Sequence, residues 1–136
     1  MFGWPHEDLA FGDVMADLAT LLRNHTLLED VTVSSDMSKF QQGDRMLLLE
    51  RAGGRRDRLF DDSHVLFEAR GEDHDDAYDI AMAARSICWT VPKLIGPIVK
   101  VSDVSGPLRI VDPVNQDLFY RFSMMFRVKG KRPSEL

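Results

Sequence analysis

The spacing of apolar residues changes period several times along the chain, and each change marks an element. Val14, Leu18, Leu21 and Leu22 recur at i, i+4, i+7 and i+8, the spacing of a helix with one apolar stripe. Asp13 stands where an N-cap belongs and His25 near the end, which predicts a first helix over residues 12–25. Residues 1–11, with Trp4 and Pro5, precede it as an N-terminal arm. Val31 and Val33 alternate with Thr32 and Ser34, a short strand. The polar stretch from Ser35 to Asp44 reads as a loop. Its large apolar residues, Met37 and Phe40, are placed to dock the loop or to meet a partner.

Met46, Leu47, Leu48 and Leu49 are apolar on both parities, as in a strand covered on both faces. With two helices expected in the whole chain, the second cover is open to being another subunit. Gly53-Gly54 is a turn signal, yet the next alternation, Val65, Phe67 and Ala69, starts later than a tight hairpin requires. The arms between, holding Arg55 to Asp62, are expected to form an extended hairpin or long loop that can grip a neighbour. Beyond Gly71 come the acids Glu72, Asp73, Asp75 and Asp76, then Ala77, Ile80, Ala81, Ala84, Ile87, Cys88 and Val91 at helical spacing. Acids suit the start of a helix and Pro92 is expected to stop it.

Ile98, Val99 and Val101 suggest a strand, 104–107 a break, 108–110 a short extended piece, and Asp112-Pro113-Val114-Asn115 a turn. In the last strand Tyr120, Phe122, Met124, Phe126 and Val128 alternate with Arg121, Ser123, Met125, Arg127 and Lys129, and this apolar parity is expected to face the helices. A flexible tail is expected over 129–136. The order of elements predicts a single α+β domain over residues 1–136, a mainly antiparallel sheet with two helices packed on one face.

Charge changes the picture more than composition does. The 136 residues carry 17 Lys and Arg against 22 Asp and Glu, a net charge of −5, which argues against a general nucleic-acid binder. The mean hides a gradient: residues 118–136 are at +4 and the rest at −9. A second basic run holds Arg51, Arg55, Arg56 and Arg58, and the acids Glu72, Asp73, Asp75, Asp76 and Asp79 form a block. Opposite patches on one small domain suit head-to-tail self-association. The candidate interface residues are therefore Arg51, Arg55, Arg56 and Arg58, the acids Asp73, Asp75 and Asp76, and Leu47 and Leu49 of the two-sided strand.

No apolar run approaches the ~18 residues of a membrane-spanning helix. The opening residues carry acids where a secretory leader carries bases. The single cysteine, Cys88, can make no internal disulfide, which fits a reducing compartment. Gly-rich phosphate loops, G-x-S-x-G, Cys-x-x-Cys and H-E-x-x-H are all missing, so no catalytic, cofactor-binding or metal residue is expected. Cys88 falls on the apolar parity of the second helix and reads as buried and structural. His74 among its acids lacks the spaced ligands of a dedicated cation site. Asp61 and Asp62 with Glu50 or Glu68 read as solvated hairpin acids rather than an acid and base pair. Trp89 is expected in the core, and Trp4 either as core cover or as a partner contact.

In order along the chain, Asp13-Val14, Val31-Thr32-Val33, the run from Arg45 to Arg56, the acidic start of the second helix, Gly96-Pro97-Ile98-Val99, Val104-Ser105-Gly106-Pro107, Asp112-Pro113, Tyr120-Arg121-Phe122 and Val128-Lys129-Gly130 form a recognisable series. Over about 120 residues the chain resembles tail terminator, or tail completion, proteins of long-tailed non-contractile bacteriophages of the actinobacteriophage type. The resemblance implies an α+β protein of the virion that forms a hexameric ring. Such a ring caps the tail tube, ends its polymerisation and meets the neck, or stopper, protein below the capsid. It further implies no catalysis, assembly in the host cytoplasm, no membrane contact, and genomic DNA passing through the lumen without specific binding. The alternatives are a neck stopper or head-completion protein, a tail tube subunit, or a small metal- or ligand-binding domain using His74 and its acids.

Overall fold

The two cleanest alternations, over 65–69 and 120–128, end up side by side within one sheet. The computed structural model describes residues 14–41, 43–57, 59–114 and 116–130. Among these run α1 (Val14–Arg23), β1 (Thr32–Ser34), β2 (Met46–Arg56), β3 (Phe60–Arg70), α2 (His74–Cys88), α3 (Val91–Leu94), β4 (Ile98–Val111) and β5 (Leu118–Lys129), with single 3-10 turns at Thr26–Leu28 and Met37–Lys39. The strands form a five-stranded sheet ordered β1-β2-β3-β5-β4. Only β1 and β2 pair in parallel. The class is α+β with a mostly antiparallel sheet, and the described residues hold three helices where two were expected in the chain.

Apolar burial follows the alternation. Val65, Phe67 and Ala69 of β3 and Phe122, Met124, Phe126 and Val128 of β5 join Leu18 and Leu22 of α1 and Ile80, Ala81, Ala84 and Cys88 of α2 in one core. Phe67 and Phe122, paired across the strands, stack with centroids 4.6 Å apart. The small Ala81 and Ala84 let α2 lie close to β3 and β5, while α1 lies against β1 and β2. The other parity of the same two strands mixes Phe60, Leu66 and Met125 with charged residues that pair with one another. Arg121 donates to Glu68 at 2.6 Å, and Arg127 donates to Asp62 at 2.8 and 3.1 Å.

Several boundaries differ from the pattern-based expectation, each for a local reason. The first helix stops at Arg23, and His25 instead caps the next turn, its Nδ1 accepting from the Leu27 amide at 3.1 Å. Asp13, Trp4 and the arm over 1–11 lie outside the described residues. Gly53 and Gly54 do not turn the chain: β2 runs through them, with Ala52 and Gly53 opposing His64 alone in a β-bulge. The turn comes later, where the Asp57 carboxylate accepts from the amides of Leu59 and Phe60, both at 2.8 Å. These two amides, Phe60's first, hold the Asp57 carboxyl below its usual range.

Pro92 does not end the second helix either. It sits in the first turn of α3, where its missing N–H costs nothing, and α2 has already stopped at Cys88. This leaves Trp89 exposed rather than in the core. The expected break over 104–107 is absorbed into a continuous 14-residue β4 by shifts in its register with β5. Lys129, expected to start a flexible tail, is paired with Phe60 in β5, and residues 131–136 lie outside the described residues.

On one parity Leu47 and Leu49 are buried, and on the other Met46 is buried but Leu48 only half-buried, so the cover expected on both faces is complete only at Met46. Met46 is paired with Arg70, whose guanidinium lies 4.9 Å from the Phe40 ring and 4.1 Å from the Phe119 ring. Phe40, from the loop before β2, thus reaches the end of β3 beside Met46's strand partner.

Candidate functional site

The β2–β3 hairpin and the registers of β5 and β4 gather the basic runs at one end of the sheet. Phe60 faces Lys129 and Asp62 faces Arg127, so the hairpin tip meets the C-terminal end of β5. Lys129 donates its amide to Pro97 and Gly130 to Leu59, which places the tip beside the start of β4. Arg55 and Arg56 of the hairpin, Lys93 of α3 and Lys100 of β4 belong to this end. Arg58 lies outside the described residues. Exposed apolar groups accompany the charge: Leu59 is 56%, Leu94 58% and Val99 43% accessible.

Of the proposed basic grip, Arg51 is already engaged. Its guanidinium donates to both oxygens of the largely buried Asp61 at 3.2 and 3.3 Å. Asp62 is likewise held below the usual carboxylate range, chiefly by its hydrogen bond from Arg127, against the opposing pull of burial. Glu68 is shared by Arg121 and Arg70. Asp61, Asp62 and Glu68, expected as solvated hairpin acids, are instead largely or partly buried, each paired with an arginine. Arg55 and Arg56 remain exposed on the strand.

The acids converge at the other end. Asp73 caps α2, its carboxylate accepting from the Asp76 amide at 2.8 Å. Burial alone raises Asp76, and the Glu72 amide at 3.0 Å and the Arg45 guanidinium at 3.1 and 3.2 Å outweigh it, leaving the carboxyl below its usual range. Asp75 points outward, 3.3 Å from His74 Nε2. Beside the start of α2 lies the β4–β5 turn. A recess of about 380 Å³ lies between them, lined by Glu72, Asp73 and His74 on one side and Gln116, Asp117 and Leu118 on the other. Among the described residues no group of three or more His, Cys, Asp or Glu is arranged to hold a metal.

Arg70 organises this end and was not singled out by the sequence reading. Nearly all buried, it reaches Asp117 at 3.4 Å, Asp112 at 3.6 Å and Glu68 at 3.7 Å while lying between two aromatic rings. The only trace in the sequence is a charge at the close of an apolar alternation. Leu47 and Leu49 need correction as interface residues. Both are buried in the chain's own core, and they offer no surface to a neighbour. Cys88 is also buried, and burial pushes its thiol up to about 12, far from a nucleophilic thiolate at neutral pH.

Neither the protein-family models nor the curated proteins contain a match to this chain.

Proposed function

We propose that this chain is a structural virion protein that caps a phage tail tube as a ring of about six copies, ends tube polymerisation and forms the tail side of the head–tail junction. In this reading α1 and α2 cover one face of the sheet, and the tail tube protein and the neck stopper are the axial partners. DNA passes through the lumen without specific contacts. The observation that carries the reading is the polarity of the molecule. Arg55, Arg56, Lys93, Lys100, Arg127 and Lys129 outnumber Asp57, Asp61 and Asp62 at one end of the sheet, and the acids around the start of α2 and the β4–β5 turn outnumber Arg45, Arg70 and Arg121 at the other, an imbalance that suits contact between unlike surfaces of successive copies in a closed heterologous ring.

The test is the mass of the full chain in solution over a concentration series, with negative-stain images of the same samples and with isolated tail tubes added. Rings of about six copies that decorate tube ends are expected, as is their loss when Arg55→Glu and Arg56→Glu are combined in a chain that still folds. Rings that stack into tubes of their own would instead identify a tube subunit. A protein that stays monomeric both alone and with tubes overturns the ring reading.

A further inference from the structure

β4 is one edge of the sheet: β5 lies on one side of it and, among the described residues, no strand lies on the other. Val104, Leu108 and Val111 stand 50%, 60% and 49% accessible along it. Exposed apolar residues on an open edge favour a further strand, and the order of residues in β4 points to which one. Counted outward from Gly106 in both directions, Val104 corresponds to Leu108, Asp103 to Arg109, Val101 to Val111 and Lys100 to Asp112. Apolar answers apolar and each charge answers its opposite. Such a strand is complementary to its own antiparallel copy, which is the condition for a two-fold contact.

The register with β5 carries this pattern into space despite the bulges. Asp103 faces Met124 and Arg109 faces Tyr120, while Val101 faces Phe126 and Val111 faces Leu118. Lys100 faces Arg127, and the Asp112 amide donates to the Asp117 carbonyl. Each couple therefore stands equally far from Phe122, on its two sides. Val104, Gly106 and Pro107, which have no register partner in β5, fall between them. A two-fold axis normal to the sheet at the level of Phe122 brings all these couples opposite at once. The faces agree as well. Met124 and Tyr120 share the parity of β5 that meets α2, and on that side Arg85 of α2 holds the Asp103 carboxylate at 2.8 and 3.2 Å. Moving the axis by one residue of β5 sets Arg109 against Val101, or Asp103 against Val111, so charge selects this register.

We propose that two copies of this chain pair antiparallel through β4 about this axis, joining their sheets into one with α2 of both copies on the same face. Arg109 of each copy meets Asp103 of the other, Lys100 meets Asp112, and Leu108 meets the Val104-Ser105 segment. Pro107, which has no amide to give, sits at the bulged centre, so the outer stretches carry the backbone pairing. The contact goes beyond the ring reading and does not depend on it.

Gly106 lies nearest the axis, and a Cβ added there meets no atom within 4 Å. The experiment oxidises the full chain carrying Gly106→Cys under mild conditions and follows disulfide-linked dimers on non-reducing gels. Thr20→Cys, on the exposed side of α1 by the opposite edge, is the control for chance collision, and the native Cys88 is buried. Gly106→Cys is expected to cross-link at least about tenfold faster than the control. Adding Arg109→Asp is expected to bring the rate down to that of the control, and adding Arg109→Lys to leave it high. Leu108→Asp replaces Arg109→Asp if the latter unfolds. Cross-linking no faster than the control overturns the contact, as does cross-linking indifferent to the aspartate in a folded chain. Rings of about six copies without the Gly106 cross-link remove this contact and leave the ring reading standing. Cross-linked dimers that form no ring, even with tail tubes, do the reverse.

Discussion

Gly54 is the residue whose side chain the fold most clearly forbids. Its φ is +139°, and an added Cβ would collide with the carbonyl oxygen of Asp62 across the hairpin. Gly53 has a φ of +96° with open space around it. Gly54→Ala is therefore expected to lower stability by more than Gly53→Ala, which carries only the backbone strain of about 1–3 kcal/mol. Urea unfolding of the two variants compares them directly, and equal midpoints would mean the hairpin opens to admit the methyl. The sequence flagged both glycines as special but assigned them to a turn. A bulge and a turn draw on the same positive φ, and only the strand register distinguishes them. Arg70 was harder still, since its two rings and three carboxylates come from four separate segments.

At the scale of elements, α2 shows what a sequence can and cannot convey. Its acidic start and apolar spacing gave its beginning to within a couple of residues, because caps and helix dipoles act locally. Its end was misplaced, because Pro92 is as compatible with the first turn of a new helix as with the end of an old one. The carboxylate of Asp76, held below its usual range, adds stability that is complete above 3.8, the ordinary value, and is lost as pH falls through the lower folded value. Asp76→Asn should thus cost about 1 kcal/mol at pH 7, in keeping with a partly exposed ion pair at a helix start. The gap in melting temperature between the two proteins should narrow as pH is taken below 3.8. A gap that does not change with pH would remove the ionic part of this account. β4 shows the opposite error: a Ser-Gly-Pro stretch that looks like a break is carried by bulges, because β5 supplies a continuous partner.

For the whole molecule, the α+β class and mostly antiparallel sheet could be read from periodicity, whereas the gathering of charge at two ends could not, since it depends on strand order. The core offers one global probe. Cys88 packs among α2, the sheet and its neighbours, and burial raises its thiol to about 12. Iodoacetamide at pH 8 should leave the native protein unmodified and label it at a rate that follows global unfolding in urea, and prompt labelling without denaturant would show that α2 opens locally. Strand order also bears on synthesis. The last described strand, β5, is not at an edge but lies between β3 and β4, and joins residues as distant as Phe60 and Lys129. A ribosome must therefore deliver nearly the whole described chain before β3 finds its second neighbour or β4 finds any. Nascent or truncated chains lack the interior of the sheet, so a copy cut short of β5 is expected to stay unfolded and to leave the apolar faces of β3 and β4 uncovered.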